Sequence, residues 1–157
     1  LEENGCKIIM TREEDVALCE ETDSHKKRAD MKNRTDLINQ SGAVLAVSIH
    51  QNSFGDPEMK GAQVFYHKNS KEGKELATII QNQLLTDLQD GNTRKEKEND
   101  SYYMLKNTEC PLVIVECGFL SNPSESALLN DEEYQEKIAN SICQGILKYM
   151  ETLTNKS

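Results

Sequence analysis

Apolar residues recur along the chain in two rhythms. The first is the unbroken run. Leu112 to Val115 is a row of four large apolar residues, three of them β-branched. It opens the stretch Leu112 to Asn122, and the run is bounded by Pro111 and Gly118. A run of that kind reads as a strand buried on both faces. Ala43 to Ile49 is a second run of the same form, and it ends in His50-Gln51-Asn52. Ala62 to Tyr66 and Lys7 to Thr11 are shorter stretches of strand character. The second rhythm is helical. Leu76, Ile80, Leu84 and Leu88 make one stripe over Ser70 to Leu88. Tyr134, Ile138, Ile142, Ile146 and Tyr149 or Met150 make another over Asp131 to Thr152. Asp23 to Gln40 is a more polar helix, with Asp23 or Ser24 as N-cap, Ala29, Leu37 and Ile38 as its inner stripe, and Gly42 as its stop.

The remaining segments are punctuation. Arg12 to Thr22 is acidic and irregular, and Gln51 to Lys60 carries the turn residues Gly55, Asp56 and Pro57. Asp90-Gly91-Asn92 ends a helix, and Thr93 to Ser101 is a charged loop with no apolar residue. Tyr102 to Leu105 reads as a short edge strand. Asn122-Pro123 opens a helical turn through Leu129, with proline at a first-turn position. The resulting order β-α-β-β-α-β-α predicts an α/β domain: a mostly parallel mixed sheet with helices on both faces. No repeat or low-complexity run divides it, so 1–157 is expected to be a single domain.

Composition narrows the partners. Apolar residues make up 36% and charged residues 29%, a polar-surfaced chain unlike a disordered one. The net charge of −9 argues against nucleic acid as a partner. No stretch approaches the ~20 apolar residues of a membrane span. The five cysteines, Cys6, Cys19, Cys110, Cys117 and Cys143, are odd in number and hold no Cys-x-x-Cys pair. They read as free thiols packed like small apolar groups, with Cys117 turned into the core.

The chemistry gathers at two strand ends. Glu116 ends the Leu112 run, and a carboxylate is costly to bury without a partner or a metal. His50 ends the Ala43 run. In open α/β sheets, ligand sites lie at the carboxyl ends of strands. A histidine and a glutamate converging there point to metal-assisted hydrolysis. The plainer readings are a histidine that only caps a strand and a carboxylate satisfied by backbone N–H groups or an arginine. Asn52 either orders the turn behind His50 or contacts substrate. Arg94, in Asn-Thr-Arg-Lys, either pairs with a peptide carboxylate or is one charge in a solvated loop. His25 and His67 read as exposed and outside the site.

Together these motifs resemble a known family. Val-Glu-Cys-Gly-Phe-Leu-Ser-Asn (115–122), with Ser-Ile-His-Gln-Asn (48–52), is similar to the zinc-dependent N-acetylmuramoyl-L-alanine amidases. Further matching pieces are Met-Thr-Arg (10–12), Arg34 with Asn39 ahead of the His50 run, and Tyr103-Met-Leu-Lys106. Glu-Cys-Gly-Phe-Leu-Ser-Asn-Pro looks most like the spore-cortex, germination-specific (CwlD-like) branch. The charged segment His25 to Lys32 departs from the family's shorter link and reads as a solvated helix face.

The resemblance implies hydrolysis of the amide between N-acetylmuramic acid and L-alanine in peptidoglycan, outside the cytoplasmic membrane, in the cell wall or the forespore intermembrane space. It implies Zn2+ as cofactor, His50 as a metal ligand and Glu116 as a catalytic acid/base that is not a ligand. The family's other two zinc ligands come from a Gly-His-Gly-Gly motif and a Glu on a first strand and helix. Leu-Glu-Glu-Asn-Gly (1–5) reads as the last turn of such a helix, with Gly5 as C-cap. The chain is therefore expected to lack its first strand and most of its first helix, to hold zinc poorly and to be inactive alone. A missing N-terminal segment or an accessory protein would complete the site. The rival readings are a non-catalytic fragment or wall- or partner-binding module of the same fold, and a receiver-like signalling domain. The last lacks the acidic cluster expected at the end of a first strand.

Overall fold

A computed structural model describes residues 1–20, 22 and 24–155. Its elements are α1 (Lys26–Ser41), β1 (Ala46–Asn52), β2 (Gln63–His67), α2 (Lys71–Leu88), β3 (Lys97–Asn99), α3 (Tyr103–Asn107), β4 (Leu112–Phe119), α4 (Pro123–Leu129) and α5 (Glu132–Thr154). The sheet order is β1-β4-β2-β3. β1 runs parallel to β4 and β3 parallel to β2, while β2 is antiparallel to β4.

β4 is the central member, and every one of its residues is buried. Its alternation sorts the core. Val113, Val115 and Cys117 face the layer built by Leu76, Ile80 and Leu84 of α2 and Ile138, Ile142 and Ile146 of α5. Leu112 and Ile114 face the other way, with Phe65 of β2, Ile38 of α1 and Leu105 of α3. Helices therefore cover both faces of a mixed sheet, as the apolar pattern predicts. The buried Gln81 of α2 works as a substitute strand partner. Its Oε1 accepts from Val64 N–H at 2.9 Å and its Nε2 donates to the Ala62 carbonyl at 3.2 Å.

Four expectations are corrected. Lys7 to Thr11 joins no sheet; Ile9 and Met10 lie exposed, and the following residues strap onto α1 instead. Leu18 N–H donates to Asp30 at 2.6 Å, and Arg34 donates to Thr11 Oγ1 at 3.1 Å. The Ala43 run is not a strand buried on both faces. β1 begins at Ala46 and is an edge strand, so Val44 and Ile49 stay 60% and 58% exposed. Thr93 to Ser101 is not all loop, because Lys97–Asn99 pairs with β2 through its backbone, which asks nothing of side-chain polarity. Tyr102 to Leu105 is no edge strand. Asn99 Oδ1 accepts from the N–H groups of Ser101 and Tyr102, both at 2.8 Å, and that turn starts α3.

Smaller differences concern single residues. The cap of α1 is His25, without a side-chain hydrogen bond, so Ser24 is not the cap, and Asp23 lies outside the described residues. His67 is half-buried. All five cysteines are free thiols, and Cys117 is in the core. Asn122 and Asp131 cap α4 and α5 through their side chains. Gly5 closes a short 3-10 turn at Glu2–Asn4 with φ 77°.

Candidate active site at the carboxyl ends of β1 and β4

Parallel pairing puts the two predicted residues side by side. His50 and Glu116 are Cα partners across β1 and β4. Partners in register point to the same face, so both side chains stand above the sheet on the α1/α3 side. Gln63 of β2 is the antiparallel partner of Glu116 and extends the row across three strands. Beyond this row β4 carries one extra residue, since Asn52 pairs with Phe119. A bulge of that kind re-aims side chains next to functional sites.

Glu116 is 7% exposed, and its Oε2 is buried without a hydrogen-bond partner. Burial pushes its carboxyl pKa up. Gln63 sits next to it and does not satisfy it. Its Nε2 donates to the Lys95 carbonyl at 2.9 Å and its Oε1 accepts from Arg94 at 3.3 Å. His50 keeps an open side to solvent, and Nε2 lies 3.0 Å from Ser48 Oγ. Desolvation of the ring, and then the positive charge of Arg34, hold its pKa below the usual imidazole value. Near pH 7 the ring is therefore neutral, with a lone pair to offer.

Arg94 is half-buried and fixed, not one charge in a solvated loop. Its Nε donates to the Lys60 carbonyl at 2.7 Å, and its guanidinium lies 5.1 Å from the Phe119 ring centroid. That is cation–π distance. Asn52 orders the turn after β1, its Oδ1 accepting from Ser53 N–H at 2.8 Å and its carbonyl accepting from Leu120 N–H at 2.8 Å.

Three residues of this region are not among the predicted site residues. Gln63 sits at the strand phase of Glu116, which only the register reveals. Tyr102 lies inside a segment that reads as an edge strand. Glu125 does carry a signal, Asn122-Pro-Ser-Glu125, the spacing of a capping box. Its backbone N–H donates to Asn122 Oδ1 at 3.0 Å, as that motif requires. Its carboxylate goes elsewhere, accepting from Gly61 N–H and Phe119 N–H, both at 2.7 Å. It thereby ties the end of β4 to the loop that carries Lys60.

Comparison with known proteins gives the family of the chain. A family model described as N-acetylmuramoyl-L-alanine amidase matches residues 1–148. The germination-specific N-acetylmuramoyl-L-alanine amidase of Bacillus subtilis is 42% identical over 152 residues, which are 95% of this chain and 64% of that protein. The chain thus spans a little under two thirds of that relative's length. The CwlD amidase of Clostridioides difficile, solved in complex with the GerS lipoprotein, matches with a TM-score of 0.92 at 43% identity, over 96% of this chain and 79% of that one. AmiC2 of Nostoc punctiforme, also an N-acetylmuramoyl-L-alanine amidase, matches with a TM-score of 0.82 at 26% identity, over 96% of this chain and 76% of that one.

Proposed function

The chain belongs to the N-acetylmuramoyl-L-alanine amidase family, and on that premise we propose that it serves hydrolysis of the muramoyl–L-alanine amide of peptidoglycan in spore cortex modification. The observation that carries the reading is the row itself. A neutral imidazole and a buried carboxyl with one unpartnered oxygen stand on paired positions at the end where strand-borne ligands gather.

Glu116 is the proton carrier. A carboxyl whose pKa is raised by burial, with no cation beside it to pull the pKa back, accepts and returns a proton near neutral pH more readily than an ordinary glutamate. It takes a proton from the attacking water and delivers one to the leaving amine. His50 would be one ligand of the zinc that the family uses. Nε2 is engaged with Ser48 Oγ at 3.0 Å, which leaves Nδ1 as the ring nitrogen without that contact. Arg94, fixed by Lys60 and Phe119, offers its remaining N–H groups to a carboxylate of the stem peptide, and Asn52 shapes the loop the substrate passes.

Catalytic zinc usually has three protein ligands and a water. Among the described residues no three His, Cys, Asp or Glu gather to hold a metal ion. These residues therefore do not fit a complete zinc site, and His50 is one contribution to it. The same observation favours a second reading, a wall- or partner-binding module of this fold. A partner or a further segment that supplies ligands would reconcile the two. The substrate is a wall polymer, so the site works outside the cytoplasmic membrane. No described helix is long and apolar enough to cross one.

The experiment is zinc titration joined to cleavage of purified peptidoglycan, for a metal-competent form in which a partner or further segment supplies the remaining ligands, and for the Glu116→Gln variant of that form. The variant keeps the shape and loses proton transfer. Zinc uptake is expected unchanged, and release of stem peptides is expected to fall by roughly 10² to 10⁴-fold. Near-normal turnover by Glu116→Gln overturns that role. A metal-competent form that binds zinc and releases no peptide overturns the amidase reading in favour of the binding module.

A further inference from the structure

The space above Glu116 has a second wall, and the reaction assigned above leaves it unused. Phe65 of β2 pairs with Ile114, one step along the same face from the pair Gln63 and Glu116. Residues i and i+2 of a strand stand about 7 Å apart on one face. The ring of Tyr102 packs edge-on against Phe65, with centroids 5.7 Å apart and planes inclined by 60°. The ring thus lies over the row next to Glu116, within a side chain's reach of it.

Tyr102 is held there from its backbone. Asn99, at the end of β3, accepts from Tyr102 N–H at 2.8 Å and from both the N–H and the hydroxyl of Ser101. The residue then caps α3, whose Leu105 is buried against the same face. Its own side chain remains 36% exposed. A tyrosine with a packed ring and an open edge usually directs its hydroxyl at a polar partner. Among the described residues the hydroxyl has no hydrogen bond, and Glu116 Oε2 has none either. The charge of Glu116 is felt at the phenol: after burial, it is the second cause that raises the Tyr102 pKa. The phenol therefore stays protonated, a donor, throughout the neutral range.

We propose that Tyr102 is a further substrate-contacting residue of this site, its phenol O–H donating to the scissile carbonyl oxygen while Glu116 handles the proton. The inference rests on the amidase reading above. Attack on an amide turns the carbonyl oxygen into an oxyanion, and a preorganised donor counts most where that charge develops. Glu116, as an acceptor and proton carrier, cannot fill that role while it takes the proton from water. Ser48 is engaged by His50, and Gln63 by Lys95 and Arg94. The Tyr102 phenol is a neutral donor on this face whose charge environment includes Glu116.

The test compares Tyr102→Phe and Tyr102→Leu with the unsubstituted protein on a purified muropeptide, all in the metal-competent form whose remaining zinc ligands come from a partner or further segment. Phe keeps the ring on Phe65 and removes only the hydroxyl. The expected result is a fall in kcat on the order of 10², with KM nearly unchanged and the same melting temperature. A donor that acts in the transition state has that signature. Tyr102→Leu is expected to lose the same activity and also to melt earlier. Normal kcat in Tyr102→Phe overturns the proposal and leaves the tyrosine as packing. A rise in KM at constant kcat overturns it too, since that marks ground-state binding. If the unsubstituted protein binds zinc and cleaves nothing, the amidase reading fails and this proposal fails with it. If it cleaves and Tyr102→Phe cleaves equally, only the proposal fails.

Discussion

Replacing Glu125 with alanine removes a carboxylate that no catalytic role requires, and the damage expected is large. The side chain is buried at 7% exposure, and its two oxygens accept from Gly61 N–H and Phe119 N–H at 2.7 Å each. Alanine leaves both donors buried and unmatched. A stranded buried donor costs about 1–3 kcal/mol, so two cost roughly 2–6 kcal/mol. The offset is relief from burying a charge. It is small here because both hydrogen bonds are short and charge-assisted, so about 4 kcal/mol is the working figure. At this chain length 1 kcal/mol moves Tm by roughly 2–4 °C, which predicts a fall of about 8–16 °C.

Glu125→Gln keeps one acceptor oxygen but turns an NH2 toward the other donor. It should lose about half as much. The assay is thermal and urea unfolding by circular dichroism, with amide hydrogen exchange at Gly61 and Phe119. Both amides should exchange faster in the alanine variant. A Tm within about 3 °C of the parent, with both amides still protected, would refute the reasoning. It would mean that water or a shifted backbone satisfies these donors at no cost.

Two further predictions follow from packing and charge. Gly145→Ala should destabilise by roughly 1–3 kcal/mol from overpacking, because a Cβ there meets Ile80 Cγ1 at 2.9 Å and Ile80 Cα at 3.0 Å. Backbone cannot step aside as a side-chain tip can, and the ~1 kcal/mol helix gain of alanine over glycine does not offset it. An unchanged urea midpoint would count against the close approach of α2 and α5. The Asp30 carboxyl is held below its usual value, first by its hydrogen bond to Arg34 and also by Leu18 N–H. A depressed carboxyl contributes stability above its unfolded pKa of about 3.9, and the contribution fades as pH falls through the lower folded value. Asp30→Asn should therefore be less stable than the parent at pH 7, with the gap closing below about pH 4. A gap that stays constant with pH would show that the pair contributes only shape.

The parts that were legible in the sequence are those fixed by local pattern. Four apolar residues in a row, three of them β-branched, read as a covered strand, and Leu112 to Val115 lies in the fully buried β4. The stripes on α2 and α5 repeat at helical spacing and meet over the same face of the sheet. His50 and Glu116 come together because each closes a strand and the strands are parallel. What stayed hidden depends on partners far along the chain. β3 is three polar residues, and only β2 thirty residues earlier makes them a strand. Nothing in Asn-Thr-Arg-Lys says that Arg94 will be clamped by Lys60 and Phe119. Ala43 to Ile49 looked covered on both faces because composition cannot tell an edge from a centre.

The electrostatics of the row explain why the fixed arginines matter without touching Glu116. Arg34 is paired with Asp30 at 2.7 Å, yet its charge still reaches His50 and favours the neutral ring. Arg94 is tied to Lys60 and Gln63, and Glu116 feels burial as the cause of its raised pKa. A mobile arginine in either place would be drawn to an unpaired buried carboxylate, since such a pair gains a great deal in a low-dielectric pocket. It would lower the carboxyl pKa and leave a poor proton carrier. The hydrogen bonds that hold Gln63 matter for a related reason. If Gln63 released Lys95 and turned its amide to Glu116, the charged form would gain a donor and the proton affinity would drop. The fold therefore keeps two titratable groups on neighbouring strands, both pushed toward their uncharged forms from opposite directions. It does so by giving Arg34, Arg94 and Gln63 other partners.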